Sequence, residues 1–294
     1  MNDYSWLIGD APFDLRHERN YSFTRSAMGC GGIAALAVFP QSIEQLVWVV
    51  ERLENTGTAY RVLGKTTNVL PFSGRSETVF VFTGGVCETE FSKTAFFATG
   101  VSSGKLLGEC KKRGLSGAEF LAGIPCSVGG AAYMNAGVAG GYFSSVVESV
   151  LVYAKGELKR LGVKECAYSY KKSRFMQSGE TILGVFLSLT SATVEEIEEK
   201  RNQFLQRRSA LPKGKSLGCI FKNPAQKSAG AFIEGAGLKG LRVGGAVISP
   251  MHANFIINEK NATVEDVCTL IKTIKNAVYA QYGVQLEEEI EYLS

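Results

Sequence analysis

The residues with chemistry to offer fall in three places. The first is a glycine-rich stretch, Gly117 to Gly141, reading GAEFLAGIPCSVGGAAYMNAGVAGG, with no charge beyond Glu119. Glycine turns through positive φ and admits another backbone or a ligand at close range, and Pro125 fixes one turn inside the run. Two readings are open. The stretch is a tight crossing of packed elements, or its successive N–H groups form a concave nest that holds phosphate oxygens without a lysine. Its length and lack of charge favour a buried pyrophosphate, carried by Ala122, Gly123, Ile124, Pro125, Ser127, Val128, Gly129, Gly130, Asn135 and Gly137. It has neither the Gly-Lys-Ser/Thr of a Walker loop nor the GxGxxG spacing of the dinucleotide fold. A second loop, Gly64, Lys65, Thr66, Thr67, Asn68 and Val69, offers hydroxyls and an amide to a phosphate or a heterocycle. Taken alone it also reads as a plain connecting turn.

The second place is AYSYKKSRF, residues 167–175, which is polar, aromatic and basic and has no periodicity. The third is a C-terminal set: GCIFKNP at 218–224, AGLKGLRVGGAVISPMHANFIIN at 236–258, and LEEEI at 286–290. Composition narrows what these can do. Seven scattered cysteines without a CxxC pair argue against a disulfide framework or a zinc site. Two histidines, His17 and His252, leave no histidine-rich metal centre, and a net charge of +4 is too mild to imply nucleic acid. No apolar run is long enough to span a membrane. The N-terminus, MNDYSWLIGDAPFD, lacks the basic start and apolar core of a signal peptide, so a cytoplasmic protein is expected.

The elements that must position these groups read as follows. Residues 21–40 lead through small residues into a first strand. A helix runs from Ser42 to Glu54, with a Ser42–Gln45 capping box and an apolar face of Ile43, Leu46, Val47, Val50 and Leu53. Strands are expected at 60–63, 79–82, 148–153 and 181–189. A helix from Ser102 to Arg113 closes at Gly114, and another opens at Thr193 with a capping box through Glu196. The composition shifts at Arg207, and a domain boundary is expected near Phe204. Beyond it lie a short helix (228–236), strands near 245–249 and 253–258, and a long helix from Thr263 to Tyr282 that stops at Gly283. The tail reads simply as acidic.

Taken together, GIPCSVGGAAYMNAG, AGLKGLRVGGAVISPMHANFIIN, LGKTTN, GCIFKNP and LEEEI resemble the UDP-N-acetylenolpyruvoylglucosamine reductase family, in its shorter type. The resemblance runs from about Tyr21 to the C-terminus. It implies an α+β chain: a vanillyl-alcohol-oxidase (PCMH) type FAD-binding fold of two subdomains, split near residue 85, over 1–204. A smaller α+β substrate domain would follow over 205–294. It implies non-covalent FAD, NADPH as co-substrate and reduction of UDP-N-acetylglucosamine enolpyruvate to UDP-N-acetylmuramate in peptidoglycan synthesis. The partners are then small molecules alone, with no nucleic acid, membrane or obligatory protein partner. By the same resemblance Lys171, Cys219 and Glu289 are the catalytic residues, and Tyr170, Lys215, Lys222 and Asn223 bind substrate, Lys213 being a further candidate for the diphosphate.

Three positions depart from the family pattern. Lys171 stands where arginine is usual, keeping the charge but losing the planar fork. Cys219 stands where serine is usual; a thiol, with an ordinary pKa of about 8.5, remains mostly protonated at neutral pH. Thr66 stands where glycine is usual. Two rivals follow from these features: an FAD oxidoreductase of the same fold with another substrate, and a degenerate homologue without catalysis. His252 reads as structural, and His17 lies outside every motif.

Overall fold

The computed structural model describes residues 4–293, so the reading of the N-terminus begins outside the described residues. The chain forms two compact units. One comprises Met1–Arg19, Leu36–Lys65 and Glu77–Ser209; the other comprises Asn20–Ala35, Thr66–Ser76 and Ala210–Ser294. Phe204, where a boundary was expected, lies inside the helix Val194–Arg208.

The strand Ile33–Val38 has five consecutive buried residues, as small and apolar side chains allow when both faces are covered. It belongs to a four-stranded sheet in the order His17–Ser22, Ile33–Val38, Arg75–Phe82, Tyr60–Leu63. In the first unit the helix Ile43–Asn55 starts where Ser42 Oγ accepts from the Gln45 N–H at 3.2 Å. The expected capping box forms only by half, because Gln45 Oε1 accepts from the Gln41 N–H instead. Val49 rather than Val47 is buried beside Leu46, Val50 and Leu53, since those four positions fall on one stripe.

A five-stranded antiparallel sheet follows, in the order Glu157–Gly162, Val147–Ala154, Thr181–Leu187, Ala95–Ala98, Thr89–Phe91. The sequence reading had only two of these five, Val147–Ala154 and Thr181–Leu187. Glu157–Gly162 shows four exposed residues in a row and carries charge, as an edge strand does. The helices Ser103–Lys112 and Val194–Arg208 begin as expected, at Ser102 and at a Thr193–Glu196 capping box.

The second unit packs the helix Val264–Tyr282 on the strands Arg242–Val243 and Ala246–Ile248 and the helix Ala229–Gly235. A Thr263–Asp266 capping box starts the long helix, and Gly283, at φ +66°, ends it. Its stripe Val267, Leu270, Ile271, Ile274 and Val278 joins one core with Met28, Leu70, Ile220, Phe221 and Leu286. The tail is more than acidic. Glu291–Tyr292 pairs in parallel with Val69–Leu70, and the Leu293 N–H donates to Leu70 O at 3.0 Å. Among the described residues no helix is long and apolar enough to cross a membrane.

Candidate active site

In the first unit Gly64, at the start of the second candidate loop, meets Ser127 of the first. A Cβ built on Gly64 would lie 2.5 Å from Ser127 Oγ, so only glycine lets the 64 loop rest there. Ser127 is 2% exposed and caps the helix Val128–Met134, its Oγ accepting from the Gly130 N–H at 3.2 Å. Ala122, Gly123, Ile124 and Pro125 line a cleft of about 490 Å³ with Leu107, Lys111, Arg201 and Leu205. Its floor is the face of the helix Ser103–Lys112 that carries Gly104 and Gly108, above which a Cβ would meet nothing within 4 Å. Within this cleft Lys111 and Arg201 both pair with Glu198, at 2.6 and 3.0 Å.

The nest itself is not formed as expected. The Val128 and Gly129 N–H groups donate to Val101 O and Thr99 O at 2.8 Å each. Those of Ile124, Cys126 and Ala131 also donate within the chain, to Leu121 O, Ile124 O and Ser127 O. The positive charge near the loop comes from side chains: Arg208 Nε donates to Gly123 O at 3.0 Å, and the charge of Lys65 is felt at Cys126. Gly129 is explained by packing, because its Cβ would fall 1.9 Å from Thr99 Oγ1. Gly129→Ala is therefore expected to destabilise the fold by about 1–3 kcal/mol through overpacking, with part of the loss recovered in Gly129→Ala/Thr99→Ala. Thermal unfolding of the four proteins checks this; equal Tm values would remove the steric reading.

Asn135 likewise differs from its expected role. It is 3% exposed, ends its helix at φ +43°, and spends its amide on the chain itself. Nδ2 donates to Ser169 O and Oδ1 accepts from the Ser144 N–H, each at 2.9 Å. Gly137 opens the short hairpin Gly137–Val138/Gly141–Tyr142, where a Cβ would lie 2.5 Å from Gly141 O.

Ser169 to Lys172 form a two-residue turn closed by reciprocal bonds, Ser169 N–H to Lys172 O at 3.1 Å and Lys172 N–H to Ser169 O at 3.2 Å. Tyr170 and Lys171 occupy its centre. Lys171 has φ +54°, which costs a residue with a Cβ about 1–2 kcal/mol. Its ammonium lies 3.5 Å from Gly137 O, and the Tyr170 ring meets Tyr142 edge-on at 6.3 Å.

The second unit brings Asn68, Cys219 and Glu289 together. The Glu289 N–H donates to Ile220 O at 2.8 Å, one residue beyond Cys219. Asn68 Nδ2 donates to Glu289 O at 3.0 Å, while the Glu291 N–H donates to Asn68 O at 2.9 Å. Asn68 thus uses its amide to seat the C-terminal tail. Thr66 has φ +56°, a conformation glycine adopts without strain. Here the Thr66 hydroxyl gives something back by accepting from the Ala27 N–H at 3.2 Å.

Cys219 is half-buried and bridges to Phe255 across a short antiparallel contact. Its strand is fixed by Asn254, a residue the sequence reading did not single out although it stands in the quoted MHANF segment. Asn254 is 2% exposed; Oδ1 accepts from the Phe221 N–H at 2.9 Å and Nδ2 donates to Phe221 O at 2.8 Å. Its own carbonyl accepts from the Ile220 N–H. The remaining substrate candidates are partly committed inside the unit. Lys222 pairs with Glu287 at 2.5 Å, and Asn223 Oδ1 accepts from the Ala229 N–H at 3.0 Å at a helix start. Lys215 is exposed, and its stem covers Gly29.

Four cysteines are inert. Burial pushes the thiols of Cys30, Cys126 and Cys166 up to about 11 and that of Cys110 up to about 12. Burial also lowers the pKa of His252, whose Nδ1 accepts from the Asn254 N–H, as suits a structural histidine.

The chain has counterparts among known proteins. Residues 34–162 match a family model described as an FAD binding domain. Residues 209–293 match the C-terminal domain of UDP-N-acetylenolpyruvoylglucosamine reductase. The UDP-N-acetylenolpyruvoylglucosamine reductase of Chlamydia abortus is 37% identical over 96% of this chain and 95% of its own. That of Chlamydia pneumoniae is 39% identical over 96% and 93%. The crystal structure of UDP-N-acetylenolpyruvylglucosamine reductase from Thermus caldophilus superposes with a TM-score of 0.83 at 33% identity, covering 95% of this chain and 100% of that one.

Proposed function

This chain belongs to the UDP-N-acetylenolpyruvoylglucosamine reductase family, and from that premise we propose how its residues carry out the reaction. The activity is NADPH-driven reduction of UDP-N-acetylglucosamine enolpyruvate to UDP-N-acetylmuramate, a precursor of peptidoglycan. The fold is the flavin-binding fold of the vanillyl-alcohol-oxidase type, followed by the family's C-terminal domain. In this proposal the part up to about Phe204 takes the flavin and the part beyond it takes the uridine nucleotide.

The residues present fit FAD on one observation: the Gly64 loop lies against Ser127, and Ala122 to Pro125 open directly onto the cleft. Gly64 to Thr67 and Ala122 to Ser127 would hold the cofactor, with Lys65 and Arg208 near its phosphates. FAD, when bound, takes hydride from NADPH and supplies it to the terminal carbon of the enol ether. The chain's own residues do the rest. Lys171 holds the substrate carboxylate, beside which electron density develops. Glu289 stabilises the charge distribution of the transition state, and Cys219 delivers the proton to the carbon next to the carboxylate. The observation that carries this reading is the seating of Glu289 on Ile220, next to Cys219 in sequence. Tyr170 and the lysines 213, 215 and 222 contact the sugar nucleotide. The location is cytoplasmic, where charged nucleotide substrates are made and kept.

The protein is expected to purify yellow and to release FAD into the supernatant on acid precipitation. Anaerobic NADPH should bleach it, and the enolpyruvyl sugar nucleotide should restore the colour. A colourless protein that cannot be reconstituted with FAD, or one whose reduced flavin ignores the substrate, would refute this function.

A further inference from the structure

The turn that carries Lys171 is held by more than its own reciprocal Ser169–Lys172 bonds. Its centre puts a lysine at φ +54°, and such conformations persist where surrounding contacts over-determine them. Those contacts come from the far end of the helix Val128–Met134 and the residues just after it. Asn135 Nδ2 donates to Ser169 O at the start of the turn. Ser173 Oγ, 8% exposed, donates to Tyr133 O at 2.6 Å beyond its end. Gly137 O receives the Lys171 ammonium at 3.5 Å. Residues 133, 135 and 137 thus hold the turn at its start, its centre and its end.

We propose that Asn135 is a positioning residue for Lys171, fixing the turn that presents the ammonium to the substrate carboxylate, and that it does not contact the cofactor. This rests on the reading of Lys171 given above. The amide orientation is determined by its partners, since Ser169 offers a carbonyl oxygen and Ser144 an N–H. No other side chain does both from this position. Asn also tolerates the left-handed conformation at which the helix ends. Aspartate keeps the acceptor for Ser144 but sets a carboxylate oxygen against the Ser169 carbonyl. Glycine keeps the helix end and loses both bonds.

The test uses holoenzyme and separates the two half-reactions. Asn135→Gly is expected to keep its FAD and its rate of reduction by NADPH within about twofold. Re-oxidation by the enolpyruvyl substrate should slow by about 10–100-fold, the scale of a misplaced group. Hydrogen exchange should quicken at the Lys172 amide, which is bonded to Ser169 O, and stay unchanged at Val128 and Gly129. Asn135→Gly/Lys171→Ala should re-oxidise no more slowly than Lys171→Ala, because the first residue acts through the second. Additive losses, or equal losses in both half-reactions, would overturn the proposal. If Lys171→Ala itself re-oxidises at the normal rate, the failure lies with the role of Lys171 instead. Ser173→Ala loosens the same turn from its other end and should show the same selective loss. It carries the test should the Asn135 variants not fold, and normal re-oxidation there together with unchanged exchange at Lys172 would refute the mount.

Discussion

Cys219→Ala is expected to keep its flavin and its reduction by NADPH, and to lose about 10²–10⁴-fold in re-oxidation by substrate, the usual weight of general-acid catalysis. The strand around Cys219 is held by backbone bonds, Ile220 N–H to Asn254 O and Phe221 N–H to Asn254 Oδ1, and neither involves the thiol. Cys219→Ser should stay active, since a hydroxyl also donates. A thiolate cannot donate, so wild-type activity should fall on the alkaline side as the thiol loses its proton. That alkaline limb should vanish in Cys219→Ser. Alkylation should inactivate the wild type, and bound substrate should protect it. The buried Cys30, Cys110, Cys126 and Cys166, with raised pKa values, will not compete, which leaves Cys87 and Cys268 as the controls. Wild-type turnover in Cys219→Ala would reduce Cys219 to a packing residue.

Lys171→Ala should slow re-oxidation by roughly 10–100-fold, as loss of a hydrogen bond to a charged group implies, and leave reduction by NADPH nearly intact. Lys171→Arg should retain or raise turnover, because the fork that grips a carboxylate through two bonds is restored. Glu289→Gln is expected to share the selective defect. Its backbone is held by Ile220 O and by the Asn68 amide, and these two bonds remain in this variant. Stopped-flow traces of each half-reaction decide the matter. Equal losses in both would return these residues to general structural roles.

What the sequence disclosed was mostly local. Thr193, Thr263, Ser102 and Gly283 mark helix ends by their own side chains or backbone freedom, and each was legible as such. The edge strand Glu157–Gly162 was not, because its exposed face carries charge where a strand pattern would show alternation. Pairings between distant segments were also hidden. Asn68 looks like a ligand amide until Glu289 is found beside it, and Asn135 looks the same until Ser169 is. Gly129 looks like a place for a cofactor to approach, yet Thr99 already fills the space. The family motifs named Lys171, Cys219 and Glu289. Sequence alone could not say that Glu289 is seated from one side by Ile220 and from the other by Asn68.

The parallel pairing of Val69–Leu70 with Glu291–Tyr292 has a consequence for synthesis on the ribosome. The segments 20–35 and 66–76 are made early, but their unit is completed only by residues 210–294. From residue 76 to residue 294 is 294 − 76 = 218 residues. At a synthesis rate of about 5–20 residues per second, that is a delay of roughly 10–45 s. During it Met28, Cys30 and Leu70, all core residues in the finished unit, have no partners to cover them. The Glu289 seat is therefore acquired long after its partner segment at 66–76 is made, and the pairing of Val69–Leu70 with Glu291–Tyr292 comes late in the assembly of this unit.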